Sequence, residues 1–310
     1  MDGLPISLSS SEGNGELTVG SQRTLKAPIS CVGVGLHSGK RVSLTLRPAA
    51  ANQGILFRRT DLRRDIPAHY SYVADTRLST VLGEGGARVS TVEHVMAALS
   101  GCGIDNAIVE LDGPEPPALD GSAAQFVFLI DCAGIVEQDE ARAAIEICRV
   151  VRVTDGDAFA ELRPGAAGLD MSMSIDFAAA AIGRQALTLR LNATSFRHEL
   201  ARARTFGLIE EVDELRAAGL AQGGSLDNAV VVDQARILNP GGLRVPDEFV
   251  RHKLLDAVGD LALAGAPLVG HFVAHRSGHA LNNRLLRTLF ADQAAWREIA
   301  PAQSLSVAAA

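Results

Sequence analysis

The decapeptide Arg251-His252-Lys253-Leu254-Leu255-Asp256-Ala257-Val258-Gly259-Asp260 decides how this chain is read. Just upstream, Pro246, Asp247 and Glu248 suit the first turn of a helix, where a missing N–H and negative charge are tolerated, and Gly265 and Pro267 suit its end. On a helix Leu254, Leu255, Val258, Leu261 and Ala262 fall on one arc, with His252, Asp256 and Asp260 on the opposite arc. An imidazole and a carboxylate one turn apart can hold a zinc ion if a third protein ligand arrives from elsewhere and a fourth position stays open to water. The competing reading is a polar face that meets only solvent, and the segment by itself leaves both open.

Composition bounds the rest. At 310 residues the chain is long for one domain and comfortable for two, each able to bury a core. Hydrophobic residues at 47% and charged residues at 21% make it globular rather than disordered. A net charge of −7 argues against a nucleic-acid partner but leaves room for an anionic small molecule held by local Arg and Lys. Cys31, Cys102, Cys132 and Cys148 form no C-x-x-C pair, so neither a structural zinc knot nor a disulfide framework is indicated, and a reducing cytoplasm fits best. Residues 1–20 are polar and Gly/Ser-rich without an apolar signal core and read as a disordered tail. The apolar run Leu254 to Val273 is broken by Asp256, Asp260 and Pro267, which speaks against stable membrane insertion. No feature indicates an oligomer, and a monomer is expected.

In the first half, Gly33, Gly35 and Gly39 mark a tight loop before the alternating strand Arg41 to Arg47. A phosphate-binding loop would need Gly at 34 and Ser or Thr at 41; Val34 and Arg41 exclude it. His37 in this loop is read as structural. Short strands follow, with Gly83 to Gly86 as a hairpin turn. Val89 to Gly101 then reads as a three-turn helix. Ser90 and Glu93 have capping-box spacing, a role for Glu93 that needs no chemistry. His94 sits among Val92, Val95, Met96 and Ala97, where an unpaired imidazole is costly to bury. A strand over Asn106 to Leu111, a Pro-rich loop and a helix from Ser122, with Gln125 as a second capping partner, complete the half.

The pattern then restarts with strands, giving a first domain over 21–138, a second over 139–295 and a C-terminal tail over 296–310. In both halves a histidine-bearing helix (His94, His252) leads to a strand, a turn and another helix, which suggests two copies of one α+β unit. If a pseudo-twofold axis relates the copies, His94 meets His252 in a shared cleft and is the missing third ligand. Ala178 to Leu191 has no apparent counterpart in the first half and reads either as core or as the wall of an apolar passage. Gly223-Gly-Ser-Leu-Asp-Asn228 is a Gly-rich loop that suits phosphate or plain solvent.

Ser-Thr-Val-Glu-His-Val-Met-Ala-Ala-Leu, Asp-Gly-Ser-Ala, Ala-Arg-Thr-Phe-Gly, Gly-Gly-Ser-Leu-Asp-Asn, Phe-Val-Arg-His-Lys-Leu-Leu-Asp-Ala-Val-Gly-Asp and Ser-Gly-His-Ala-Leu-Asn-Asn occur in this order. In these six motifs, from about Thr24 to Phe290, the chain resembles the UDP-3-O-acyl-N-acetylglucosamine deacetylases. The resemblance implies two similar α+β domains, each a sheet on two helices, with the active site between them and an apolar insertion in the second for the acyl chain. It also implies a zinc amidohydrolase acting on a UDP-linked acylated amino sugar in lipid A synthesis. Residue by residue, it makes His94, His252 and Asp256 zinc ligands, Glu93 the base and His279 the cationic partner of the oxyanion. Thr205 would touch the carbonyl-derived oxygen, Asp260 would orient His279, and Lys253 and Phe206 would contact the nucleotide and its phosphates. An amidohydrolase with another acylated amine as substrate, and a metal-free nucleotide-sugar or lipid-binding protein, are the alternatives.

Overall fold

The computed structural model describes residues 20–300, so the expected tail lies outside the described residues except at Gly20, as do 301–310. The chain begins with β1 (Ser21–Leu25), β2 (Ile29–Val34), β3 (Arg41–Pro48), β4 (Ile55–Arg59) and β5 (Arg64–Pro67). Three short strands follow, β6 (Val73–Asp75), β7 (Val81–Glu84) and β8 (Ala87–Val89), then α1 (Glu93–Gly101), β9 (Ala107–Leu111), α2 (Ala124–Ala133) and β10 (Ile135–Ala141). The main sheet has the order β2-β3-β9-β4-β5, with β9 antiparallel to β3 and parallel to β4. β1 pairs antiparallel with β10 and touches the start of β9 through a parallel Thr24–Asn106 bridge.

The second half repeats this plan. It comprises β11 (Ala144–Ile147), β12 (Val151–Asp155), β13 (Ala158–Arg163), β14 (Leu169–Asp176) and β15 (Arg184–Leu191). An inserted stretch carries α3 (Ala193–Ser195), β16 (Phe206–Leu208), α4 (Ile209–Ala217), β17 (Val230–Asp233) and β18 (Arg236–Ile237). Then come α5 (Glu248–Ala262), β19 (Leu268–His275), α6 (His279–Ala291) and β20 (Trp296–Ile299). The order β12-β13-β19-β14-β15 copies the first sheet, again with the central strand antiparallel to one neighbour and parallel to the other. β11 pairs antiparallel with β20 and parallel with the start of β19, matching β1. The fold is therefore α+β and duplicated strand for strand, which the spacing of the histidine-bearing helices had only suggested.

The strand pairing corrects three expectations. β10 runs through Ala141 in partnership with β1, so a division at 138/139 cuts a strand; we propose to divide the units between Ala141 and Ala144. Trp296 to Ile299 is no tail, because β20 is the counterpart of β10 and closes the second unit. Residues 184–191 of the stretch that seemed to lack a counterpart are β15, paired with β14 along its whole length as β5 is with β4. The true insertions lie between the fifth strand and the first helix of each unit, where they form three-stranded sheets, β6-β7-β8 and β16-β17-β18.

Each sheet turns one face inward, as the alternation of buried and half-buried residues along β14 records. The two helical layers meet between the sheets, α1 lying directly on α5 with α2 and α6 flanking. This placement buries both faces of α5. His252, Asp256 and Asp260 are only 2%, 4% and 3% exposed, which overturns the reading of a solvated polar face. The closeness of the helices depends on Gly259, where a Cβ would stand 2.0 Å from the carbonyl oxygen of Glu93. Glycine inside a helix costs roughly 1 kcal/mol against alanine, so its presence there marks a contact that no side chain permits.

Candidate active site and metal centre

The crossing of α1 and α5 brings together the groups that the sequence had placed 158 positions apart. His94 from α1 and His252 from α5 stand edge to face, their ring centroids 5.0 Å apart. Asp256, one turn beyond His252, places Oδ1 at 3.5 Å from His94 Nε2 and 3.3 Å from His252 Nε2. These three buried residues are the one group among the described residues with ligand atoms mutually within 4.8 Å in metal-holding fashion. A tetrahedral ion with bonds of about 2.0–2.1 Å separates its ligands by roughly 3.3–3.4 Å, close to the 3.3 Å and 3.5 Å that separate the two histidines from the carboxylate. Asp256 Oδ1 is moreover a buried acceptor with no hydrogen-bond partner. Its other oxygen accepts from Lys253 Nζ at 3.0 Å. His252 donates Nδ1–H to the carbonyl of Ala203 at 3.0 Å, which turns its Nε2 lone pair toward Asp256. The donor set thus fits a small borderline ion such as zinc.

The charges agree. Burial pushes the His252 imidazole down to about 4, against the pull of Asp256, so it is neutral and able to ligate at pH 7. Burial alone would raise Asp256, but the neighbouring His252 and Lys253 hold it well below the usual carboxylate range.

Glu93 begins α1, and its side chain does not form the expected capping box. Val92 is the capping residue and makes no side-chain cap, while Ser90 donates its N–H to the carbonyl of Pro114. Glu93 Oε2 instead accepts from the backbone N–H of Thr80 at 3.0 Å, and Oε1 lies 3.8 Å from His279 Nε2. Burial raises its pKa, only partly opposed by His279 and His94. The second expected capping box is absent too, since Ser122 bonds Asp120 and α2 starts at Ala124 without a side-chain cap.

His279 is the first residue of α6, where the helix dipole and burial both disfavour an imidazolium. Asp260 offsets them, its Oδ2 accepting from His279 Nδ1 at 2.9 Å and from Asn282 Nδ2 at 2.8 Å, while its Oδ1 accepts from the Thr80 hydroxyl at 2.6 Å. Against the desolvation that lowers it, Asp260 and Glu93 hold His279 up to about 9, so it is a cation at neutral pH.

The remaining expected residues are close by. Thr205 donates its N–H to Gly121 and accepts from Val230 at 2.8 Å each, and it lines a small pocket with His94. Gly121 has φ +78, and a Cβ there would lie 1.9 Å from the carbonyl of Asn228, so Asp-Gly-Ser-Ala, Ala-Arg-Thr-Phe-Gly and the Gly-rich loop converge on one spot. Arg204 anchors this junction through a buried ion pair with Glu248 at 2.8 Å, which sequence reasoning had assigned only to the start of a helix. Phe206 packs on Phe177, Phe249 and the His252 ring. Lys253, expected on the nucleotide, bonds Asp256. His37 sits in a loop whose N–H groups at 37 and 38 donate to buried Glu115, and its carbonyl accepts from Gln222 N–H in the second unit's insertion. The residues missed from sequence were Thr80, Asn282, Glu115 and Glu248; only Glu248, an acid in a first helical turn, carried a local signal.

A buried acid beside paired histidines and a carboxylate at ligand spacing is an arrangement suited to the metal-assisted hydrolases. The family model described as UDP-3-O-acyl N-acetylglycosamine deacetylase matches residues 22–291, and the chain belongs to that family. It is similar to the UDP-3-O-acyl-N-acetylglucosamine deacetylase of Acidithiobacillus ferrooxidans, with 55% identity over 279 residues, 89% of this chain and 91% of the relative. The protein of the same name from Myxococcus xanthus is 53% identical over 285 residues, 91% of this chain and 90% of its own. That from Haemophilus influenzae is 52% identical over 280 residues, 89% and 92% respectively. No helix among the described residues is long and apolar enough to cross a membrane.

Proposed function

We propose that this protein is a zinc-dependent amidohydrolase that removes the N-acetyl group of UDP-3-O-acyl-N-acetylglucosamine in the cytoplasm, releasing acetate and the free amine for lipid A synthesis. The observation that carries the chemistry is the unpartnered Asp256 Oδ1 at ligand spacing from both His94 and His252. Family membership carries the substrate. Zinc held there would polarise the amide carbonyl and lower the pKa of water to about 7 from roughly 15.7.

The chain's own groups do the proton work. Glu93, with Oε2 held by Thr80 and Oε1 directed toward His279, takes the proton of the attacking water as the new C–O bond forms. The carbonyl-derived oxygen gains negative charge, which the His279 imidazolium and Thr205 stabilise. As the C–N bond breaks, the proton on Glu93 is passed to the amine nitrogen. Lys253 secures the ligand carboxylate, and its charge and the Phe206 ring border the side from which the UDP moiety approaches. The second unit's insertion, with Phe206 and Leu208 half-buried on β16, supplies apolar surface for the acyl chain.

The direct test is acetate release from UDP-3-O-acyl-N-acetylglucosamine by protein stripped with a strong chelator, then titrated with zinc. Activity should vanish on stripping and return with one equivalent; full activity in the stripped protein would end the zinc reading. A pH-rate profile tests the roles. The base must be deprotonated and His279 protonated, so kcat/KM should fall as pH drops through the raised pKa of Glu93 and fall again as pH rises through about 9. Asp260→Asn removes the negative charge that sustains the imidazolium and should move the basic limb to lower pH. An unmoved limb would remove Asp260 from the account.

A further inference from the structure

Thr80 stands just before β7, in the three-stranded insertion of the first unit, and is 2% exposed. All three of its hydrogen-bonding groups are engaged around the cleft. Its N–H donates to Glu93 Oε2 at 3.0 Å, its hydroxyl donates to Asp260 Oδ1 at 2.6 Å, and its carbonyl accepts from Val92 N–H, at the start of α1, at 3.3 Å. Glu93 belongs to α1 of the first unit and Asp260 to α5 of the second, so one residue binds a carboxylate from each. Both bonds run to charged acceptors in a buried setting, where such bonds are short and about twice as strong as neutral ones.

We propose that Thr80 is the positioning residue that sets the two proton-handling groups of the reaction relative to each other, its N–H fixing Glu93 and its hydroxyl fixing the Asp260 carboxylate that aims His279. The division of labour follows from geometry. Asn282 restrains Asp260 at Oδ2, while His279 Nδ1 lies within reach of both oxygens, 2.9 Å from Oδ2 and 3.1 Å from Oδ1. The Thr80 hydroxyl makes the shorter bond to Oδ1, at 2.6 Å, and so fixes the plane of the carboxylate on which His279 rests, with His279 Nε2 3.8 Å from Glu93 Oε1. None of the hydrogen bonds of Thr80 runs to His94, His252 or Asp256, so its effect should appear in turnover rather than in metal binding. The roles of Glu93 and His279 rest on the proposed function, whereas the positioning of their side chains does not.

Three variants of the zinc-loaded full chain test this. Thr80→Val keeps the backbone N–H and the side-chain volume but loses the hydroxyl; Thr80→Ser keeps the hydroxyl; Thr80→Ala covers the case in which Val impairs folding. Loss of an orienting partner typically costs about 10–100-fold, so kcat of Thr80→Val should fall by roughly that factor with KM and zinc content near wild type. The downfield proton resonance of His279 Nδ1–H should shift or broaden in Thr80→Val, and Thr80→Ser should restore both resonance and kcat. Wild-type kcat together with an unchanged His279 resonance in Thr80→Val, or in Thr80→Ala if Val does not fold, would overturn the proposal. If no form of the enzyme releases acetate but the resonance still responds to Thr80→Val and recovers in Thr80→Ser, the positioning stands and the proposed function falls.

Discussion

Glu93→Ala is expected to bind one zinc as tightly as the wild type and to lose about 10²- to 10⁴-fold in kcat. The two halves of this result have separate causes. None of the three ligand atoms belongs to Glu93, and the contacts that shape them are elsewhere: Ala203 on His252 and Lys253 on Asp256. Zinc content should therefore be unaffected, which metal analysis of the purified variant checks. Turnover should collapse because Glu93 Oε1 is the acceptor set against the His279 imidazolium in a site where burial raises its pKa and brings the base nearer neutrality. Loss of this carboxylate also removes one of the negative charges that keep His279 cationic, so the basic limb of any residual activity should lie below that of the wild type. Near-normal turnover in Glu93→Ala would mean that another group takes the proton.

Asp256→Ala should fail one step earlier, at the metal. It deletes the ligand at which both histidine Nε2 atoms converge, and zinc affinity should fall by more than the roughly 10–100-fold typical of losing a mere supporting contact. It also leaves the Lys253 ammonium without its carboxylate partner in a mostly buried position, and breaking a buried ion pair from one side costs about 3–5 kcal/mol. Zinc competition against a chromophoric chelator and thermal unfolding of the metal-free protein measure the two losses independently. Lys253→Met in the Asp256→Ala background should recover part of the stability but none of the zinc affinity. Wild-type zinc affinity in Asp256→Ala would remove Asp256 from the ligand set.

The comparison of expectation with structure is instructive at particular residues. The pairing of His252 with Asp256 is local, a matter of helical periodicity, and was legible from the decapeptide. His94 stood out locally as an imidazole among apolar neighbours, but its meeting with His252 was legible only through the repeat and the family resemblance, because a long-range contact leaves no mark on the sequence around it. The capping box at Ser90 and Glu93 was misleading for the opposite reason: the spacing is real, but the Thr80 N–H and the buried cleft offer Glu93 a better partner than a helix end does. Lys253 was expected on a nucleotide, and its bond to Asp256 at i+3 follows from helix geometry that the sequence also contained. The ends of the two units were misjudged because β10 and β20 are defined by pairing with β1 and β11, more than a hundred residues away in sequence.

By itself, then, the sequence determined the α+β class, the duplicated helix-strand-helix rhythm, the family and the placing of His252 and Asp256 one turn apart, since these depend on residue type, motif order and short-range period. The tertiary structure alone decided that both faces of α5 are buried, that Gly259 lets α1 approach to contact, that Asp256 Oδ1 has no partner within the protein, and that Thr80 spans the two units. The reason is physical: metal geometry and proton transfer depend on distances of a few ångströms between side chains far apart in the chain, and only the packing of one unit on the other sets those distances.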